Sequence, residues 1–270
     1  MTSFGIIGTG RLGTALLRAA GTHAPEIRLL AASRDASRTE ELQRQMPGLV
    51  AASPEDLART ADLVVLCIPP DAYLPLCDRI ASHLGPRSIV ISVANPVPLA
   101  AIAERVRRPV VKVIPTLAHV VGRGVSLLVA GPGAKAEHVD LVRRVFTRFS
   151  VPMLIDARDD RVASNVAGSA LALFAALCDA FVSANSARAQ ALGRPMLDAM
   201  MAETAGAVAA LVTAGHSWSD IVRATATPGG MTEAALNILT RSFPTTAEEM
   251  VAATFDKQAE IQNRDQAASS

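Results

Sequence analysis

Eight short apolar runs alternate with stretches of helical pattern between Phe4 and Asp156: FGIIG, IRLLAAS, LVAA, DLVVLCIP, SIVISVA, VVKVIPT, GVSLLVA and PMLID. Strands joined through helices lie parallel, because the helix carries the chain back to the edge where the strand began. A largely parallel sheet flanked by helices follows. Two helix starts are marked locally. Ser37 with Glu40 has the form of a capping box, and Ser53 before Pro54 sets an N-cap ahead of proline at the first helical position. After DARDDRV the pattern changes. From about Val162 to Gln262 no strand signal remains, only alanine-rich helical patterning broken at ALGRP, AGHSW and TPGG. A last helix is expected from Thr246, with Glu249 opposite, to about Gln262, followed by a frayed NRDQAASS tail. The chain therefore reads as α/β, with an N-terminal doubly wound sheet of Rossmann type over 1–158 and an all-helical domain over 159–270.

Composition narrows the partners. Half of the 270 residues are hydrophobic, ample for a buried core, and 26 Lys and Arg stand against 25 Asp and Glu. A net charge of +1 provides no electrostatic footprint for nucleic acid or an anionic membrane. A small molecule is the expected partner. The longest weakly polar run, Val166 to Cys178, is interrupted by Ser169 and falls short of the ~20 residues a bilayer requires, so no membrane span is expected. The start MTSFGIIGTG enters a strand at once and suits a cytoplasmic protein. Cys67, Cys77 and Cys178 are odd in number and match no zinc spacing, so reduced thiols and no metal site are expected. Lysine occurs only at Lys112, Lys135 and Lys257.

GTGRLG places Gly8, Gly10 and Gly13 directly after the first strand and at the opening of a helix, with Thr9, Arg11 and Leu12 between them. This is the dinucleotide fingerprint in its proper context: a tight turn, a backbone that a pyrophosphate can approach, and close packing of helix on sheet. A plain structural turn is the alternative. The second strand ends in AASRDASR, where an NAD site carries an acidic residue for the ribose 2′-hydroxyl. Here Ser33 and Arg34 come first, with Arg38 beyond, a set suited to a 2′-phosphate. NADPH is the expected cofactor and NADH the second choice; the other reading makes these arginines solvated surface groups. Ile68 and Pro69 in CIPPDAY, and Ser92, Ala94 and Asn95 in SVANP, fall at the C-terminal ends of the fourth and fifth strands, where such sheets bind ligands. Both segments also suit ordinary turns.

The segment ATATPGGMTEAAL breaks helical surroundings at a cost of about 3 kcal/mol for proline and about 1 for each glycine. Glycines ahead of a helix starting near Met231 bring unpaired N–H groups and the positive end of the helix dipole to one point, which suits a carboxylate or phosphate. The alternative is an inter-helix turn with Thr227 as cap and Pro228 as breaker. His119, after a strand, is a candidate proton donor or substrate ligand, against the commoner role of a hydrogen-bonded structural histidine.

Taken in order, these segments resemble the pyrroline-5-carboxylate reductase family. The resemblance rests on IIGTGRLGTALL, on VKVIPTLAHVVGRGVSLLV beside a family pattern similar to VRVMPNTPALVGEGVTALV, on VAGSALALFAAL beside GSGPAYVF, and on TATPGGMTEAAL beside TSPGGTT. It implies a Rossmann domain joined to a helical dimerisation domain, reduction of a cyclic imine by NAD(P)H to an amino acid such as proline, and an active site between the domains completed by a partner subunit. It also implies that Thr227, Gly229, Gly230 and Thr232 hold the substrate carboxylate. Ser164 and Ser169 as candidate catalytic groups, with Asn165 in the substrate pocket, fit the positioning such a reduction needs, against the commoner role of each as a helix-surface or capping group. The chain departs from the family at Thr116, Ala163, Ala170, Ala172 and Cys178. An imine arriving as iminium asks mainly for positioning and fixed dipoles. Two alternatives stand beside this reading. One is an oxidoreductase like the β-hydroxyacid dehydrogenases, which needs a lysine that VASNVAGSALALFAALCD lacks. The other is a non-catalytic NADP(H)-binding sensor. Helices apolar nearly all round, as in ALALFAALCDAFV and AMMAETAGAVAALV, call for burial on several sides and hence a homodimer, with larger assemblies open.

Overall fold

The structure, a computed structural model, describes residues 2–268. It divides into two compact units, one holding everything up to Gly168 together with the C-terminal end from Ile261 on, the other Ser169–Glu260.

The first unit is built on an eight-stranded sheet of order β3-β2-β1-β4-β5-β6-β7-β8. Its strands are β1 Ser3–Ile7, β2 Arg28–Ala32, β3 Leu49–Ala51, β4 Leu63–Leu66, β5 Ile89–Ser92, β6 Val110–Ile114, β7 Val125–Ala130 and β8 Val151–Leu154. Each apolar run became a strand. The first six are parallel; β7 pairs antiparallel with β6, and β8 is parallel to β7. Helices α1 Arg11–His23, α2 Ala36–Gln45, α3 Pro54–Thr60, α4 Tyr73–Ile80, α5 Leu99–Val106 and α6 Ala136–Phe146 cover the two faces. Alternation along the strands splits the core accordingly. Phe4, Ile6, Val65, Ile91, Val111 and Val113 pack with Leu16 and Leu17 of α1 and Phe146 of α6. Ile7, Val64, Leu66, Val90 and Val110 pack with Leu57 of α3, Tyr73 and Ile80 of α4 and Ile102 of α5.

Ser53 caps α3 as the sequence indicates, accepting the Asp56 amide at 3.1 Å. The cap of α2 differs. Asp35 holds that position, accepting the Ser37 amide at 3.1 Å and the Ser37 hydroxyl at 2.6 Å, so Ser37 lies inside the helix and no Ser37–Glu40 box forms.

Beyond β8 the chain is helical. A short helix α7, Asp160–Ser164, widens into a π turn over Asn165–Ser169 and continues as α8, Ala170–Ser186. The second unit adds α9 Arg194–Thr213, α10 Trp218–Thr225 and most of α11 Met231–Ala268. Ser217 and Asp220 close a reciprocal capping box at α10. The expected helix start at Thr246 is corrected: α11 runs without interruption, Pro244 lies inside it, and the Thr246 hydroxyl returns to the Ser242 carbonyl at 3.3 Å. The tail expected to fray is helical as far as Ala268, and Ser269 and Ser270 lie outside the described residues.

The second unit shields little. Among its described residues Val182 is the one buried apolar side chain, whereas Phe174, Phe181, Met196, Met200 and Ile238 are all more than half exposed. The run-length argument against a membrane span is corrected as well. Ala157–Ser186 and Arg194–Thr213 are long and apolar enough to cross a bilayer by length and composition alone.

Candidate functional site

The GTGRLG turn joins β1 to α1 at the point where strand order reverses, between β1 and β4. Its three glycines have three separate physical reasons. Gly8 has φ +108°, and a Cβ there would meet the Cys67 carbonyl oxygen at 2.2 Å. A Cβ on Gly13 would lie 1.9 Å from the Gly8 carbonyl oxygen, so α1 packs against the turn only without a side chain. At Gly10 a Cβ would meet nothing within 4 Å: the backbone there is open to a ligand. The Gly10 carbonyl accepts the Thr14 amide at 2.9 Å, the first bond of a helix whose N-terminal N–H groups face the opening.

A cleft of about 630 Å³ runs from this turn along the ends of β2 and β4, with Gly8, Thr9, Gly10, Ser33, Arg34, Ile68 and Pro69 on its walls. Asp35, Arg38, Cys67, Ala72, Pro75, Leu76 and Arg79 also line it. The wall from α4 was not read from the sequence; its signal is the proline pair of CIPP, which turns the chain into that helix. Arg79 is held at 2.5 Å by Glu55, whose carboxyl it depresses to about 2. Burial pushes the Cys67 thiol up to about 12, which leaves it a neutral wall group.

The end of β2 discriminates between cofactors. Ser33 Oγ donates to the Asp35 carbonyl at 2.7 Å and accepts the Asp35 amide at 3.0 Å. The Asp35 carboxylate is engaged in capping α2, and the Ser37 hydrogen bond lowers its pKa. The acidic group that would take a ribose 2′-hydroxyl is thus committed elsewhere. Arg34 is exposed and, among the described residues, has no ion pair or hydrogen bond; Arg38 stands one helical turn on. Backbone room at Gly10 and unpaired guanidinium charge beside the cleft fit a dinucleotide with a phosphorylated ribose.

The other sequence-derived cofactor positions are less open. Arg11 and Leu12 are exposed on the first turn of α1, and Gly13 serves packing. Ser92 is fully buried beside the Tyr73 phenol, while Ala94 and Asn95 follow in the loop after β5. Tyr73 donates to the Leu66 carbonyl and accepts the Val93 amide at 3.2 Å, joining the ends of β4 and β5.

His119 is corrected. It is 1% exposed, its ring edge-on to Phe149 with centroids 5.9 Å apart, and its Nε2 faces Ser126 Oγ at 3.2 Å and the Val125 carbonyl at 3.4 Å. Burial lowers its pKa. A histidine so enclosed matches the hydrogen-bonded structural role that the sequence also offered.

Ser164 is buried on α7 and donates to Asp160 Oδ1 at 3.1 Å, and Asp160 Oδ2 is ion-paired with Lys112 of β6. Asn165 opens the π turn and Ser169 closes it. In the second unit Thr227 and Thr232 are exposed on either side of Gly229 and Gly230, and α11 begins at Met231 as expected. Gly229 adopts φ +73°, which requires glycine. Its amide is already in use, donating to the Glu233 carboxylate at 2.7 Å. The site therefore holds one carboxylate of the chain's own.

A family model described as NADP oxidoreductase coenzyme F420-dependent matches residues 3–96, and one described as pyrroline-5-carboxylate reductase dimerisation matches residues 159–261. The pyrroline-5-carboxylate reductase of Corynebacterium melassecola is 27% identical over 253 residues, spanning 90% of this chain and 92% of its own length. That of Pseudomonas aeruginosa is 26% identical over 264 residues, spanning 94% and 95%. The solved pyrroline carboxylate reductase of Plasmodium falciparum, with NADP bound, shares the fold with a TM-score of 0.82 at 21% identity, over 97% of this chain and 98% of that one.

Proposed function

We propose that the chain is a divergent member of the pyrroline-5-carboxylate reductase family and reduces a cyclic imine carrying a carboxylate, pyrroline-5-carboxylate or a near relative, with NADPH as the reductant. The observation that carries this reading is the conjunction, in one chain, of an arginine-rimmed dinucleotide cleft and a PGG turn at the head of a long helix.

Bound NADPH supplies a hydride from nicotinamide C4 to the C=N carbon. The chain's part is to bind and orient. The Gly8–Gly13 turn and the first amides of α1 receive the pyrophosphate, and Arg34 with Arg38 takes the 2′-phosphate. Thr227, Thr232 and the amides around Gly229 and Gly230 hold the substrate carboxylate, the Glu233 side chain moving aside or sharing the donors. Ser164 commits its proton to Asp160, so its oxygen keeps lone pairs only. Such an oxygen suits the N–H of an iminium, the form that needs no proton at the moment of hydride addition, because the product is a neutral amine. Asn165 and Ser169 bound the π turn that follows Ser164, and we assign them to substrate positioning with it. The exposed apolar faces of α8 and α9 are covered by a second copy of the chain in a homodimer, in keeping with the dimerisation model matched there. We place the protein in the cytoplasm.

The test is NADPH oxidation followed at 340 nm with pyrroline-5-carboxylate and a panel of cyclic imines, repeated with NADH. Turnover with a carboxylated imine, faster with NADPH and lost in Thr232→Ala, is the expected result. NADPH binding without oxidation by any imine would sink the reductase reading and favour a sensor.

A further inference from the structure

Lys112 is one of three lysines in the chain and is 7% exposed. It lies within β6, in register with Ser92 of β5 on one side and Val129 of β7 on the other. From there its ammonium reaches Asp160, the first residue of α7, 48 positions along the chain. The two oxygens of Asp160 are divided: Oδ2 meets Lys112, and Oδ1 accepts the Ser164 hydroxyl at 3.1 Å. Ser164 ends α7, and the π turn Asn165–Ser169 begins at once. π turns within helices concentrate at functional sites, because the wider turn re-aims the side chains it carries.

Holding a helix to a strand does not call for charge. A buried ion pair is commonly no more stabilising than apolar side chains of the same volume, since desolvation offsets the attraction. What the pair adds is direction. A methionine–leucine contact would leave the helix turn free to rotate by small amounts, whereas an ammonium on one carboxylate oxygen dictates where the other oxygen points. Here that second oxygen determines the orientation of Ser164.

We propose that Lys112 is a positioning residue for the reduction: acting through Asp160, it fixes the Ser164 hydroxyl and the π turn that follows. The inference rests on the imine-reductase reading of the site and assigns Lys112 no contact with substrate or cofactor.

Three variants of the full-length protein test it: Lys112→Arg, Lys112→Met, and the double variant Lys112→Met with Asp160→Leu, which avoids stranding a half-buried carboxylate. For each, kcat, the KM for imine, the Kd for NADPH, the isotope effect with 4-deuterated NADPH, and amide exchange over residues 160–169 are measured. In the double variant kcat falls between about 10- and 100-fold through misplacement of the reacting groups, with NADPH affinity unchanged. Its isotope effect rises and exchange over 160–169 quickens, while Lys112→Arg stays near wild type in all respects. A double variant that melts like wild type and retains its kcat, isotope effect and exchange overturns the proposal and leaves the pair a simple tether. If the wild-type protein reduces no imine, the reductase reading fails on its own evidence. The role in the reduction then falls with it, and exchange over 160–169 decides only whether Lys112 orders the Ser164 turn: it does if exchange quickens and does not if exchange is unchanged.

Discussion

The Tyr73 hydroxyl accepts the Val93 amide at 3.2 Å while its own proton goes to the Leu66 carbonyl, so one side chain of α4 fastens the ends of two neighbouring strands. The segment after β4 lines the cleft, and the one after β5 carries the proposed cofactor positions Ala94 and Asn95. Burial pushes the phenol up to about 12, so it stays protonated across the working range. Tyr73→Phe leaves a buried carbonyl and amide unpartnered, a cost of about 1–3 kcal/mol. The expected outcome is a lower melting temperature together with weaker NADPH binding. A stability loss without any change in NADPH affinity would separate the fastening from the cofactor edge.

Replacing Arg34 and Arg38 together by serine removes the charge proposed for the 2′-phosphate. Affinity for NADPH should fall by roughly 10- to 100-fold, as expected for lost charge-assisted hydrogen bonds, with NADH affinity little altered. Fluorescence titration of both cofactors at low and high salt checks this. Equal losses for the two would point to a general disturbance of the cleft.

Glu233 occupies the Gly229 amide that the substrate carboxylate is proposed to use. Glu233→Ala should lower the KM for pyrroline-5-carboxylate by about two- to tenfold, the scale of one hydrogen bond at a helix N-terminus, and leave that for carboxylate-free 1-pyrroline unchanged. A KM that rises for both substrates would instead make Glu233 a necessary cap of α11.

Burial lowers the pKa of His119 in the folded chain relative to its ordinary value of 6.5. The unfolded chain therefore binds a proton first as the pH drops, and the stability due to neutral burial is full above the unfolded pKa and declines as pH falls through the folded one. Thermal melts between pH 7.5 and 5, run on wild type and His119→Phe, should show a steeper acid slope for wild type. Parallel slopes would mean that the histidine is not titrating from a buried neutral state.

Much of the fold was legible because it is locally encoded. Parallel strands buried on both faces read as continuous apolar runs, and all eight are found where those runs lie. The direction of β7 was not legible, since an apolar run carries the same pattern whichever way it is traversed. At α2 Asp35 and Ser37, two positions apart, both have capping side chains; Asp35 takes the cap, and Ser33 bonds its backbone from the other side. Thr246 with Glu249 suggested a helix start within α11, yet the helix runs through that point with Pro244 inside it, since proline costs a helix one donor and some crowding, which a long helix absorbs. The cleft at the β1–α1 turn was largely readable, as Gly8 and Gly10 fall in one short segment and Arg34 and Arg38 in another. The environment of His119 was not, because Phe149 and Ser126 cover it from segments that only the folded sheet brings near. Lys112 was noticed solely for its rarity, and nothing local ties it to Asp160 across 48 residues.

The helical unit with Val182 as its one buried apolar side chain bears on how the protein is handled in the tube. In the proposed homodimer, helices that shield so little by themselves would gain their stability on association, so that folding of this half and meeting of two chains would become a single event. Melting temperature should then climb with protein concentration, and specific activity should decay on dilution, slowly and without any change in buffer. Assays run at nanomolar enzyme would report the fraction of chains still paired, and a rate that curves upward with enzyme concentration would be the signature of assembly and not of a cooperative site.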